Sequence, residues 1–144
     1  MRESVLVLGG TAEALALMAR LAAERPEARA ILSLAGRTAE PRRPPVGDVR
    51  IGGFGGAAGL ARFLAEEGVT HLVDATHPYA AGMSRNALDA ARLAGVPRLA
   101  LVRPPWEAEP GDRWQIVACL RAARDALPVG ARPFLALGAQ HVAP

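Results

Sequence analysis

Short apolar runs alternate with amphipathic stretches along the chain, and glycines fall between them. Ser4-Val-Leu-Val-Leu8 is continuously apolar after its first residue, as in a strand buried on both faces. Gly9-Gly10-Thr11 interrupts it, and Leu15, Met18, Ala19 and Ala22 then recur at helical spacing until Pro26, which predicts a helix. A second strand is predicted from Ala30 to Leu34, ending in Ala35-Gly36-Arg37-Thr38, and a Pro- and Arg-rich loop spans 40–45. Asp48 to Ile51 reads as a third strand, closed by Gly52-Gly53-Phe54-Gly55-Gly56 and followed by a helix from Ala57 to Glu67 that Gly68 ends. A fourth strand, Thr70 to Asp74, turns through Ala75-Thr76-His77-Pro78 into a helix from about Tyr79 to Ala94. Gly95 stops that helix before a fifth strand, Arg98 to Val102. Strands alternating with helices through short connections predict an α/β fold with a Rossmann-like, doubly wound parallel sheet.

The pattern changes after Arg103-Pro104-Pro105-Trp106. A turn and short strand are expected over Gly111–Val117, a helix over Ala118–Leu127, and a new strand beginning at Phe134–Leu137. This divides the chain into a nucleotide-binding domain over 1–110 and the start of a second α/β domain over 111–144. Ending just after a strand-to-turn transition reads as a truncation.

Composition narrows the function classes. The 144 residues are 51% hydrophobic but only 4% aromatic, so the core is built from Ala, Leu and Val. One cysteine, Cys119, excludes an intramolecular disulfide and a Cys-rich zinc site. With neither a signal pattern nor an apolar run of about 20 residues, the cytoplasm is the expected compartment. The sequence pI of 10.3 reflects a net charge of only +3. Every basic residue is Arg, and the arginines are interspersed with acids, as in Arg20, Glu24, Arg25, Glu27 and Arg29. That dispersion favours a solvated surface over a nucleic-acid-binding face.

In a doubly wound sheet, ligands bind outside the carboxyl ends of the strands, and each unusual cluster falls there. In Gly9-Gly10-Thr11-Ala12-Glu13-Ala14, the places of a G-x-G-x-x-G fingerprint are held by Gly9, Thr11 and Ala14. Gly10 adds backbone freedom, the Thr11 hydroxyl can donate to a phosphate, and Glu13 is expected to cap the helix. Alone, this motif is equally a plain strand-to-helix turn. An acid at the end of the second strand would favour NAD, whereas Arg accommodates a 2′-phosphate. Here Ser33, Arg37 and Thr38 stand there with no acid before Glu40, favouring NADP(H), although a solvated loop arginine fits the same residues. The segment containing Gly53, Phe54 and Gly55 either lets backbone approach a flat ligand or makes a tight connection with Phe54 in the core. In Asp74-Ala75-Thr76-His77-Pro78-Tyr79, His77 and Tyr79 are candidate proton donors, and His77 is equally a helix-capping residue. No metal-ligand spacing, paired carboxylates or Ser-His-Asp order is present.

Together, Leu8-Gly-Gly-Thr-Ala-Glu-Ala14, Ser33-Leu-Ala-Gly-Arg-Thr38, Val49-Arg-Ile-Gly-Gly-Phe-Gly-Gly56, Asp74-Ala-Thr-His-Pro-Tyr79 and Arg103-Pro-Pro-Trp106 resemble the precorrin-6A reductase family across essentially the whole chain. That family is longer, with a second α/β domain whose opening Phe134-Leu-Ala-Leu-Gly138 and Gln140 resemble. The resemblance implies NADPH-dependent reduction of a macrocycle double bond of precorrin-6A to precorrin-6B in cobalamin biosynthesis. It places the cofactor across Gly9, Gly10 and Thr11, Arg37 and Thr38, the Gly52–Gly56 loop, and Thr76, His77, Pro78 and Tyr79. The tetrapyrrole would lie between domains, with Arg103 as a carboxylate partner. The counterpart reaction on a cobalt-containing intermediate fits the same residues. Rival readings are another NADP-dependent Rossmann oxidoreductase or epimerase, and an NADP(H)-sensing module without catalysis.

Overall fold

The computed structural model describes residues 3–36 and 47–136. They form two compact units, 1–104 and 105–144, dividing between Pro104 and Pro105.

The first unit follows the order β1 (Ser4–Leu8), α1 (Ala12–Glu24), β2 (Arg29–Leu34), β3 (Asp48–Ile51), α2 (Gly56–Glu66), β4 (His71–Asp74), α3 (Ala81–Ala94) and β5 (Arg98–Ala100). The five strands make one parallel sheet in the order β3-β2-β1-β4-β5. Connections run outward to one edge from β1 and then to the other from β4. The switch point therefore lies between β1 and β4.

The apolar run of β1 is buried along its whole length, and its two faces feed two cores. Leu6 and Leu8 join Ile31 and Leu72 beneath Leu60 and Leu64 of α2 and Ala87, Ala90 and Ala91 of α3. Val5 and Val7 join Leu32, Leu34 and Val73 beneath Ala14 and Met18 of α1. The period-two alternation of the strands thus sets which residues meet which helix layer. Small residues on α3 let it lie close to the sheet.

The boundaries differ from the expected ones where side chains compete for backbone groups. Strand β4 starts at His71 because Thr70 crosses to Ser4: its N–H donates to the Ser4 carbonyl at 2.8 Å, and its hydroxyl takes the Ser4 N–H at 2.9 Å. Helix α3 starts at Ala81, two residues later than Tyr79. Pro78 and the turn closed by the Ala80 N–H on the His77 carbonyl (2.7 Å) occupy that stretch. Strand β5 ends at Ala100, opposite the last residue of β4.

In the second unit the described residues hold one helix, α4 (Leu120–Asp125), shorter than the expected 118–127. No strand forms among them. The strand expected within 111–117 has no neighbouring strand to receive its backbone groups, which is what an extended segment needs. Phe134–Ala136 are likewise unpaired by any strand, and Leu137, Gly138 and Gln140 lie outside the described residues. No helix among the described residues is long and apolar enough to cross a membrane.

Candidate nucleotide-binding site

Because all five strands are parallel, the turns that follow them gather at one edge of the sheet. The first turn is shaped by close packing. Gly9 donates its N–H to the Ser33 carbonyl at 2.9 Å, and a Cβ on Gly9 would lie 2.5 Å from Leu32 Cδ1. Gly10 has a positive φ of 112°, a conformation that costs other residues free energy. Thr11 is the N-cap of α1: its Oγ1 accepts the Ala14 N–H at 3.2 Å and donates to the Ala75 carbonyl at 2.8 Å. One expectation is corrected here: the capping oxygen belongs to Thr11, not Glu13. The Thr11 hydroxyl also donates to the loop after β4, tying the two turns together. Ala14 is fully buried at 0% exposure, so the third place of the fingerprint sits where helix meets sheet.

Ser33 is buried near the end of β2, in register with Leu8 and with Arg50. Arg37 and Thr38 lie outside the described residues.

In the Gly52–Gly56 turn, the reading that puts Phe54 in the core is met. Phe54 is half-buried against the α2/α3 core, with its ring 5.2 Å from Phe63 in an edge-on arrangement. Gly52, Gly55 and Gly56 carry positive φ. Gly53 does not, and a Cβ there would meet nothing within 4 Å. Neither backbone conformation nor internal space explains that glycine.

The loop after β4 rests on a buried carboxylate at the end of that strand. Asp74, 4% exposed, accepts from the Thr76 hydroxyl at 2.7 Å, from the Thr76 N–H at 3.3 Å and from Arg98 Nη2 at 2.6 Å. Thr76 Oγ1 also lies 3.4 Å from Ser84 Oγ on α3. Burial works most strongly against ionisation of Asp74. Hydrogen bonds from Thr76, Arg98 and Ser84 outweigh it and hold the carboxyl below its ordinary range. Asp-x-Thr spacing after a strand is a local signal for such a side-chain turn. Arg98 gave no signal at all, because it comes from the neighbouring strand.

Beyond this anchor, His77, Pro78 and Tyr79 are exposed. The His77 and Tyr79 rings lie 4.9 Å apart. His77 Nδ1 faces the Tyr79 N–H at 3.2 Å, and Nε2 faces Arg103 Nη2 at 3.3 Å. Arg103 is thereby brought beside His77. A neutral imidazole accepts at one nitrogen only. When Nδ1 accepts from Tyr79, Nε2–H and the guanidinium are two donors side by side.

The model of the family described as Precorrin-6x reductase CbiJ/CobK matches residues 4–144. This chain belongs to that family. It is 52% identical over 139 residues to a precorrin-6A reductase of Rhodococcus erythropolis, covering 96% of this chain and 55% of that one. A precorrin-6A reductase of Sinorhizobium sp is 54% identical over 138 residues, covering 95% and 52%. Among solved structures, a CobK precorrin-6A reductase superposes with a TM-score of 0.76 at 50% identity, over 88% of this chain and 49% of that one. A Rossmann-fold NAD(P)-binding family protein from Shigella flexneri, at 19% identity and a TM-score of 0.51, covers 68% of this chain and 50% of that one and shares the fold. The chain thus spans about half the length of the precorrin-6A reductase relatives it matches.

Proposed function

We propose that this chain is the NADPH-holding part of an enzyme that reduces a macrocycle double bond of precorrin-6A to give precorrin-6B. The observation that carries the reading is the placement of three glycine- or threonine-bearing turns at one sheet edge, with the first and last joined across the switch point by the Thr11–Ala75 hydrogen bond. Membership of the family, and the precorrin-6A reductases at 52% and 54% identity, support this reaction.

The residues fit a dinucleotide. Gly9 brings the first turn so close to β2 that a side chain would strike Leu32, and the helix start behind it presents N–H groups to a pyrophosphate. Arg37, with Thr38 and the Ser33 region, is assigned to the 2′-phosphate. Thr76, His77, Pro78 and Tyr79 would border the nicotinamide end, and Gly53, Phe54 and Gly55 the flank. The cofactor supplies hydride when bound, and the protein's task is to hold and orient it. His77 Nε2–H and Arg103, donors side by side, are suited to a carboxylate oxygen of the tetrapyrrole. His77 and Tyr79, both exposed, are the candidates proposed for the accompanying proton. The cytoplasm remains the proposed compartment, and the second domain over 111–144 the proposed start of the substrate half.

Calorimetric titration with NADPH and NADH tests the reading. NADPH should bind more tightly, and Arg37→Ala should weaken NADPH by about 1.5–3 kcal/mol, the scale of a charge-assisted hydrogen bond, while hardly changing NADH. Equal losses for both nucleotides would sink the 2′-phosphate assignment. Turnover of precorrin-6A by a protein of the relatives' full length tests the reaction itself.

A further inference from the structure

We propose that Arg50 is a positioning residue for the cofactor: it sets the shape of the Gly52–Gly56 turn without touching the nucleotide. The proposal rests on the reading above, in which that turn flanks NADPH.

An arginine on an edge strand ordinarily reaches into solvent or pairs with an acid. Among the described residues no carboxylate pairs with Arg50. Asp48, two residues earlier on the same strand, is taken by Arg29 at 2.9 Å. The Arg50 guanidinium instead folds forward over its own loop. Nη2 donates to the Gly53 carbonyl at 2.7 Å, and Nη1 donates to the Gly52 carbonyl. Its carbon lies 3.9 Å from the Phe54 ring centroid and 5.3 Å from that of Phe63.

A turn with four glycines in five residues loses much conformational freedom on ordering, because glycine loses more than any other residue, so something must hold it. The Gly52 N–H is tied to the Leu34 carbonyl at 2.8 Å, and the Phe54 carbonyl lies directly over Gly59 of α2. Arg50 supplies the remaining restraint, on two successive carbonyls and one ring at once. A planar fork can donate twice and stack at the same time, whereas a lysine ammonium cannot. The Cβ positions of Gly52, Gly53, Gly55 and Gly56 stay open, so the turn is fixed from beneath and bare above. Because no acid among the described residues neutralises it, the Arg50 charge also favours an anionic ligand on this edge.

The test compares wild type, Arg50→Ala and Arg50→Lys of this chain by amide hydrogen exchange without ligand, NADPH titration and thermal melting. Arg50→Ala should speed exchange of the 52–56 amides, which report local opening, while exchange in β1 is unchanged. NADPH should bind about tenfold more weakly, the lower end of what losing an orienting outer partner costs a bound group. Arg50→Lys should melt like wild type yet recover only part of both effects. Unchanged loop exchange in Arg50→Ala overturns the proposal. So does faster exchange with undiminished NADPH affinity. A wild-type chain that binds no nucleotide overturns the cofactor reading, and the proposal's second half with it. The exchange measurement, which needs no ligand, still separates the two failures.

Discussion

Gly53→Ala is the sharpest probe of the ligand-facing side of the glycine turn, because the free protein has no reason to resist it. Gly53 is not among the positive-φ glycines, and an added Cβ meets nothing within 4 Å. Its carbonyl keeps its bond from Arg50, since the substitution leaves the backbone acceptor in place. The folded state therefore costs nothing extra, and the stiffer unfolded chain should raise stability by about 0.4–1 kcal/mol. If NADPH lies against this backbone, the new methyl group occupies the van der Waals gap between them. Overpacking of that kind costs about 1–3 kcal/mol, or roughly a 5- to 150-fold weaker Kd. The assay pairs a thermal melt with titration by NADPH. An equal or higher Tm with a weaker Kd places the ligand at the turn. An unchanged Tm with an unchanged Kd would refute the reasoning, because Gly53 would then have no ligand to explain it.

Two further substitutions test the supports of the site. Asp74→Asn leaves the partly buried Arg98 without its charge partner and should cost about 3 kcal/mol in denaturant unfolding near neutral pH. The folded-state carboxyl lies below its ordinary value of 3.8, so its stabilisation is present above that pH and is lost as pH falls through the lower folded value. The variant should accordingly lose less stability than wild type on acidification below about pH 4, and parallel acid profiles would refute this. Gly59→Ala would gain about 1 kcal/mol from helix propensity if the site were open. A Cβ there would fall 1.7 Å from the Phe54 carbonyl oxygen and 2.8 Å from its carbon, so the variant should instead lower Tm and disturb the 52–56 amides. A gain in Tm would show that the loop yields freely.

Much of the first unit was legible because its signals are local. Apolar runs at 4–8, 30–34 and 71–74, the first two with glycines after them, mark buried parallel strands, and each helix carries its own stop. The errors lie where a side chain captures backbone, as Thr70 does, or where Pro78 delays a helix. Site features that depend on distant partners were not legible. The Thr11 hydroxyl meets a carbonyl 64 residues away, and Arg98 meets Asp74 across 24. Arg50 sits inside a recognised motif, yet nothing in its spacing shows that its side chain turns over the glycines. In the second unit, apolar residues at 114–117 and 134–136 looked like strands. Strand character depends on a neighbour to pair with, which periodicity alone does not supply.

The sheet order also dictates when the site can come into being. Strand β1 lies between β2 and β4, so a nascent chain released before Asp74 would leave one edge of its most apolar strand open. Parallel pairing over such separations is slow to form, and an uncovered edge of this kind invites pairing with other chains. The crevice and its Thr11–Ala75 tie are therefore late products of synthesis. Fragments ending in the first half of this unit should be aggregation-prone, and a soluble species should first emerge once β4 is in place.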